Sequence, residues 1–166
     1  DLSGRTLIPG LVDTHNHIGR IGGADGSAPI QPDVRIYDSL NVRDSGFRRA
    51  VAGGLTTLNI MPGSGHLLSG QTVYVKLRRA RTMEDMMIRD AEGRPMGGIK
   101  MANGTNSMRE PPFPGTRGKS AALVREQFVK AQEYRDKLRR AAGDPEKLPP
   151  RDLAMEALVE VLDGRR

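Results

Sequence analysis

Two of the three histidines in this chain, His15 and His17, are separated by a single residue. The segment 11–18 around them predicts a buried β-strand. Because alternate side chains on a strand share a face, both imidazoles are expected to point the same way, and Asp13 lies on that face too. Imidazole is a common ligand of zinc and related divalent metals. The spacing therefore predicts half of a divalent metal site at a strand end, although two exposed polar residues would show the same spacing.

A second pattern, Gly65-x-x-x-x-Gly70-Gln71-Thr72, nearly matches a phosphate-binding loop and follows a predicted strand. In a true phosphate-binding loop a lysine stands in the place of Gln71 and reaches the phosphates. Without the lysine, the loop lacks the positive charge that would bind the phosphates of a nucleotide. The pattern therefore argues against nucleotide hydrolysis.

The composition narrows the class of protein further. The 166 residues are enough for one ordinary domain, and the absence of cysteine excludes disulfides and thiolate zinc sites. The net charge of +6 raises nucleic-acid binding as a class, but the basic residues are scattered among acidic neighbours and lack stacking aromatics. No apolar run approaches the roughly 18 residues of a membrane-spanning helix. We therefore expect neither a nucleic-acid nor a membrane partner, and the cellular location stays open.

Apolar periodicity and turn residues predict the elements that must position the histidines. Strands alternate with helices, which predicts parallel strands and an α/β fold. The predicted elements are strands over 11–18, 55–61, 72–77 and 98–102, a loop over 19–32, helices over 44–52 and 119–142, a helix after Pro149-Pro150, and a helical turn over 82–88 with Thr82 as its cap.

Several of these segments resemble one known family. Residues 9–17, Pro-Gly-Leu-Val-Asp-Thr-His-Asn-His, resemble the signature of the amidohydrolase superfamily, and residues 52–58 are similar to its Gly-Gly-x-Thr-Thr segment. From Leu7 to Leu162 the chain is most similar to the imidazolonepropionase-related branch. Segments shared with that branch are 62–64, 75–78 and 129–134.

The resemblance implies a fold and its division. The fold class is α/β, as the first half of a metal-dependent hydrolase (β/α)8 TIM barrel that is truncated, with the edge of a small β-sandwich at the N-terminus. Residues 1–8 would be the end of a sandwich strand or linker. Residues 9–166 would be the partial barrel, about strands 1–4 and their helices. The segment 98–102 is similar to the family's fourth strand, where some members carry a lysine.

The resemblance also implies an activity: hydrolysis of a C–N bond in a small-molecule amide or cyclic amide by a metal-activated water. His15 and His17 would bind one or two divalent ions, with zinc expected. Lys100 would either form a carbamate with CO₂ that bridges two metals or remain an ordinary lysine reaching a strand end. His66 is expected in an exposed loop. Arg109 and Arg117 could meet a substrate carboxylate, but a solvated loop is the favoured interpretation for both.

Family members complete the site with histidines from the fifth and sixth strands and an aspartate from the eighth, and this chain supplies none of them. We therefore expect the isolated chain to be catalytically silent, to bind metal weakly and to aggregate. A non-enzymatic α/β binding module, or an inactive remnant of an amidohydrolase, is the alternative. A basic nucleic-acid-binding protein is the third class. Substrate, metal number and oligomeric state stay open.

Overall fold

A computed structural model describes residues 1–19, 25–110 and 113–166. The predicted loop over 19–32 therefore lies partly outside the described residues. Short 3-10 helices cover Ile36–Ser39 and Pro145–Lys147. The main elements are β1 (Leu11–Asn16), α1 (Ser45–Ala52), β2 (Leu55–Ile60), β3 (Leu68–Gln71), β4 (Val73–Lys76), β5 (Ile99–Met101), α2 (Arg117–Arg140) and α3 (Leu153–Leu162).

The strands form two small sheets. The first has the order β1-β2-β4, and the second pairs β3 with β5. β1 and β2 are parallel and are joined through α1. β4 runs antiparallel to β2, and β5 runs antiparallel to β3. The prediction that all strands are parallel is therefore wrong beyond β1 and β2. The chain between β2 and β4 contains β3 and not the crossover helix that a parallel connection usually needs.

The local sequence explains where helix α1 begins and ends. Asp44 caps its N-terminus, where the carboxylate accepts a hydrogen bond from the backbone N–H of Gly46. Phe47 and Ala50 are its buried apolar positions. Gly53 and Gly54 follow the helix, and Gly54 has a φ of 87°, which favours glycine at a helix end. The predicted helix over 44–52 is confirmed.

Helices α2 and α3 form a hairpin at the C-terminal end of the sequence. The Thr116 hydroxyl caps α2 by accepting from the N–H of Lys119, so the helix begins two residues before the predicted start. Asp152 caps α3 in the same way. Arg135 on α2 forms an ion pair of 3.0 Å with Asp163, which follows α3. Both predicted helices are confirmed, and no helix among the described residues could cross a membrane.

Two hydrophobic clusters stabilise these elements. One lies between α1 and the β1-β2-β4 sheet, and the other joins β3 to the α2–α3 hairpin. The first contains Ile36, Phe47, Leu58, Ile60, Val73, Val75, Met83, Met86 and Met87. The second contains Leu68, Ala131, Tyr134, Met155, Leu158 and Val159.

The segment 82–88 contains the predicted helical turn, in which the backbone N–H groups of Met86 and Met87 both donate to the carbonyl of Met83, but the turn does not extend into a helix. Its organiser is Asp85, whose carboxylate accepts hydrogen bonds from the backbone N–H groups of Arg81 and Thr82. Met87 then forms a bridge to Val75 of β4. Short acidic side chains commonly form such hydrogen bonds with nearby backbone groups, and these bonds compete with extension of the helix here.

Candidate metal centre

His15 and His17 lie at the carboxyl end of β1. Asn16 is the last residue of the strand, and His17 is the first residue beyond it. The centroids of the two rings are 5.1 Å apart and their planes are nearly perpendicular, at 88°. Both residues are exposed and line a cleft of about 410 Å³. The structure thus brings the two imidazoles together, as their spacing predicted.

The end of β2 holds the ring of His17. Its Nδ1 lies 2.9 Å from the carbonyl oxygen of Met61, the residue after β2. Because a carbonyl oxygen can only accept, Nδ1 carries a proton, and in the neutral imidazole Nε2 then has the lone pair. The backbone N–H of Met61 in turn donates to the carbonyl of Asn16, which ties the ends of β1 and β2 together. A histidine held in this way presents Nε2 as a metal-binding nitrogen.

Lys100 of β5 reaches the same place from the other sheet. Its Nζ lies 3.4 Å from Nε2 of His15. Burial lowers the pKa of Lys100, since removing an ammonium from water disfavours its charged form. The positive charge of Lys100 is the largest cause of a lowered pKa at His15, followed by burial and by His17. For both Lys100 and His15 the pKa is therefore lower than its ordinary value, so the neutral form of each is reached at a lower pH.

Asp13 has a structural role in this arrangement. Its Oδ1 accepts from the N–H of His15 at 3.0 Å, and its Oδ2 accepts from Nδ2 of Asn16 at 2.6 Å. The bond from Asn16 is the largest cause of the lowered pKa of Asp13. Asn16 also accepts from the N–H of Ile18 at 2.7 Å. Asp13 also interacts electrostatically with both histidines, and its carboxylate shapes the end of the strand through these hydrogen bonds.

The donor set fits a divalent metal in part. Two imidazoles and an amine of lowered pKa are nitrogen groups that suit zinc and its neighbours. A structural or catalytic zinc site takes three or four protein ligands, however. Over residues 1–19, 25–110 and 113–166 no group of three or more His, Cys, Asp or Glu residues is arranged to hold a metal. These residues could therefore supply one side of such a centre.

Three other residues were singled out from the sequence: His66, Arg109 and Arg117. His66 is half-buried and not exposed as expected. The guanidinium of Arg109 donates to the carbonyls of Asn106 and Met108 at 2.9 Å and contacts that of Gly65. Arg109 therefore joins the loop after β5 to the loop after β2 through backbone carbonyls. Arg117 is the exposed first residue of α2 and not part of a loop.

The pattern that resembles a phosphate-binding loop folds as β3 and not as an anion-binding turn. Gln71 is buried, and its Nε2 donates to the carbonyl of Pro32 at 3.1 Å. Gly70 has a φ of 114°, and a Cβ there would lie 2.4 Å from the carbonyl oxygen of Val34. This glycine is needed for close packing of two backbone segments.

Comparison with known proteins gives two informative similarities, and no family model matches the chain. The chain is 28% identical over 192 residues to "Amidohydrolase tasK" of Hapsidospora irregularis, an alignment that covers 99% of this chain and 20% of that protein. It also matches the crystal structure of an amidohydrolase from Thermotoga maritima MSB8 with a TM-score of 0.81 and 32% identity. That match covers 94% of this chain and 43% of the solved chain.

The two similarities support a relationship with the amidohydrolases. The chain spans about a fifth of the length of the curated amidohydrolase and less than half of the solved one. Neither protein's name specifies the imidazolonepropionase-related branch, a metal or a substrate. The family resemblance is therefore supported at the level of amidohydrolases, together with a mixed α/β fold that matches an amidohydrolase structure along most of this chain.

Proposed function

We propose that this chain forms the first part of a metal-dependent amidohydrolase that hydrolyses a C–N bond in an amide or cyclic amide. The observation that carries the proposal is the meeting of three residues from distant parts of the sequence. The rings of His15 and His17 are 5.1 Å apart, and Lys100 lies 3.4 Å from His15. The similarity to two proteins named amidohydrolases supports the same conclusion.

In this proposal His15 and His17 bind a divalent metal, with zinc expected, and Met61 positions His17 through its backbone carbonyl. A bound metal would supply Lewis acidity, polarising a substrate carbonyl and lowering the pKa of a water molecule. The lowered pKa of His15 helps, because a neutral imidazole is the form that binds a metal. Asp13 and Asn16 keep the end of β1 in the conformation that presents both rings.

Lys100 has two candidate roles. Its lowered pKa increases the share of neutral amine at a given pH, and a neutral amine can attack the carbon of CO₂. The new N–C bond uses the amine lone pair, one C=O electron pair moves onto oxygen, and the nitrogen loses a proton to water. The resulting carbamate would add oxygen ligands beside His15. If it stays unmodified, Lys100 instead holds His15 neutral by its positive charge.

The partial barrel is a proposal as well. The parallel pair β1 and β2 joined through α1 is one β-α-β unit, and the match to the solved amidohydrolase covers 94% of this chain. We propose that residues 9–166 belong to such a barrel, that residues 1–8 lead in from a β-sandwich, and that the barrel is of the imidazolonepropionase-related branch. The shared segments 62–64, 75–78 and 129–134 support that finer placement.

The experiment has two arms. The 166-residue chain, incubated with Zn²⁺, is expected to show no hydrolysis of a panel of amides, lactams and imidazolones. The product of the encoding gene, if the reading frame continues past Arg166 into further histidine-bearing strands, is expected to hydrolyse at least one of them. In that product His15→Ala and His17→Ala should each reduce kcat/KM by about 100-fold or more, whereas His66→Ala should not.

Two results would contradict the proposal. One is hydrolysis by the longer product that survives loss of both His15 and His17. The other is a gene that stops at Arg166 and yields a folded, inactive protein, which would favour the non-enzymatic binding module.

A further inference from the structure

A second cleft lies between α1 and the segment that follows β4. Its volume is about 780 Å³, which is within the range of small-molecule sites. Buried Phe47 and Met86 lie beneath it, and Val51 and Leu77 present apolar surface to it. Of the described residues that line the histidine cleft, only Asp44 also lines this one. The cleft is therefore a separate site with an apolar floor.

A polar cavity of about 1010 Å³ adjoins this cleft. Arg43, Arg78 and Arg79 line both spaces, so they stand where the apolar cleft meets the polar cavity. Arg48 adds a positive charge on the apolar side and Arg81 adds one on the polar side. Together five arginines surround one continuous depression.

Most of these arginines have no internal partner. Arg78 donates from Nε to the backbone carbonyl of Asp85. In the described part of the chain, side-chain hydrogen bonds and ion pairs are absent from Arg43, Arg48, Arg79 and Arg81. Exposed arginines elsewhere do form them, as Arg94 does with Asp90 at 2.7 Å. Like charges gathered without counter-charges repel each other, so an anion in the depression would be stabilised.

The two aspartates at the depression are already engaged. Asp44 caps α1 by accepting from the N–H of Gly46, and Asp85 accepts from the N–H groups of Arg81 and Thr82. Among the described residues, five arginines against these two carboxylates leave an excess of three positive charges.

We propose that this depression binds a small amphiphilic anion. Its carboxylate or phosphate head group contacts Arg43, Arg78 and Arg79, whose guanidinium groups suit bidentate contacts to either anion. Its apolar body packs on Val51 and Leu77. A polyanion such as nucleic acid would satisfy the arginines but leave the apolar floor uncovered, and Phe47 is too deeply buried to stack on a base. The chemistry of the cleft therefore favours a soluble molecule that has both an anionic head group and an apolar body.

The test uses monooctyl phosphate, titrated into the 166-residue chain at a concentration at which light scattering shows a monomer, and followed by NMR chemical shifts of the backbone amides. Octanol has the same tail without the charge, and inorganic phosphate has the charge without the tail. Monooctyl phosphate is expected to bind at least about tenfold more tightly than either control and to shift the amides of α1 and of residues 77–81.

Variants assign the binding to the cleft. The double variant Arg43→Gln/Arg79→Gln is expected to weaken binding of monooctyl phosphate by about tenfold or more, and Val51→Gln should weaken it through the tail. The matched control is Arg125→Gln/Arg139→Gln, which removes the same charge from exposed positions on α2 and should leave binding unchanged. Circular dichroism of each variant checks that it is folded, and Val51 is 52% exposed, so its replacement is tolerated.

Three results would overturn the proposal. The first is equal binding of octanol or of inorganic phosphate, because one half of the ligand would then be irrelevant. The second is equal weakening by the control double variant, which would indicate general charge attraction. The third is binding to vesicles of an anionic phospholipid without binding of monomeric octyl phosphate, which would indicate a membrane surface instead.

Discussion

At the scale of single residues, Lys100 influences the protonation of His15. The two nitrogen atoms are 3.4 Å apart, and a hydrogen bond between them needs one to donate and the other to accept. The positive charge of Lys100 lowers the pKa of His15, and burial lowers the pKa of Lys100. The folded chain disfavours protonated His15. The contribution of His15 to the free energy of unfolding is therefore full above the ordinary histidine pKa of 6.5 and is lost as the pH drops below it.

The first prediction concerns this coupling. Lys100→Met should raise the pKa of His15 in the metal-free protein, because it removes the largest cause of the lowered value. The measurement is an NMR titration of the imidazole Cε1–H signal against pH. Lys130→Met is the control, because Lys130 pairs with Glu126 on α2 and does not contact the site. A His15 pKa that is unchanged or lowered in Lys100→Met would contradict the proximity of the two groups.

The residue scale also shows what spacing can predict. Two imidazoles one residue apart on a strand must lie close together, and they do. Lys100 is 85 residues from His15, a separation that no local periodicity can bridge, and only the family resemblance suggested it. The roles of Asp13, Asn16 and the Met61 carbonyl were missed, since they depend on how the ends of β1 and β2 meet.

At the scale of elements, strong periodicity predicted type and place well. Helices α1, α2 and α3 and strands β1 and β2 were found within a few residues of their expected bounds. β3 was missed because its sequence, Leu-Ser-Gly-Gln, has neither alternation nor apolar character, and its burial comes from α2, α3 and β5. The antiparallel direction of β4 and β5 was missed because strand direction depends on connections and not on composition.

The element scale gives a second prediction. A Cβ at Gly97 would lie 2.0 Å from the backbone carbonyl oxygen of Thr72, whereas at Gly98 the nearest atom is the Thr72 hydroxyl oxygen at 3.7 Å. Gly97→Ala should therefore lower the free energy of unfolding by about 2 kcal/mol or more, and Gly98→Ala by much less. Urea denaturation measures both. Equal effects of the two substitutions would show that residues 97 and 72 do not pack as described.

At the scale of the whole molecule, apolar surface gathers along β1 and the segment before it. Leu7 is 86% exposed, Ile8 64% and Val12 62%. Among the described strands, β1 is an edge strand of its sheet, so one side of its backbone is available for pairing. An exposed apolar edge strand commonly pairs with another chain. We therefore predict that this edge promotes self-association of the isolated chain.

The third prediction follows from that edge. Val12→Lys should reduce self-association, because a charge on an edge strand opposes pairing with a second chain. Light scattering over a concentration series measures it. Val129→Lys is the matched control, because Val129 is 45% exposed but lies on α2. Equal reduction by both variants would indicate a general effect of charge and not a role for β1.

The central claim is that His15 and His17 bind a divalent metal, and the small number of histidines makes a direct test available. Zn²⁺ is titrated into the metal-free chain while the imidazole signals of its three histidines are followed by NMR. We expect the signals of His15 and His17 to shift together, with an affinity of roughly micromolar or weaker because two imidazoles are fewer than a complete zinc site provides. The signal of His66 should stay unchanged. A response of His66 alone, or equal responses of all three histidines, would contradict the claim.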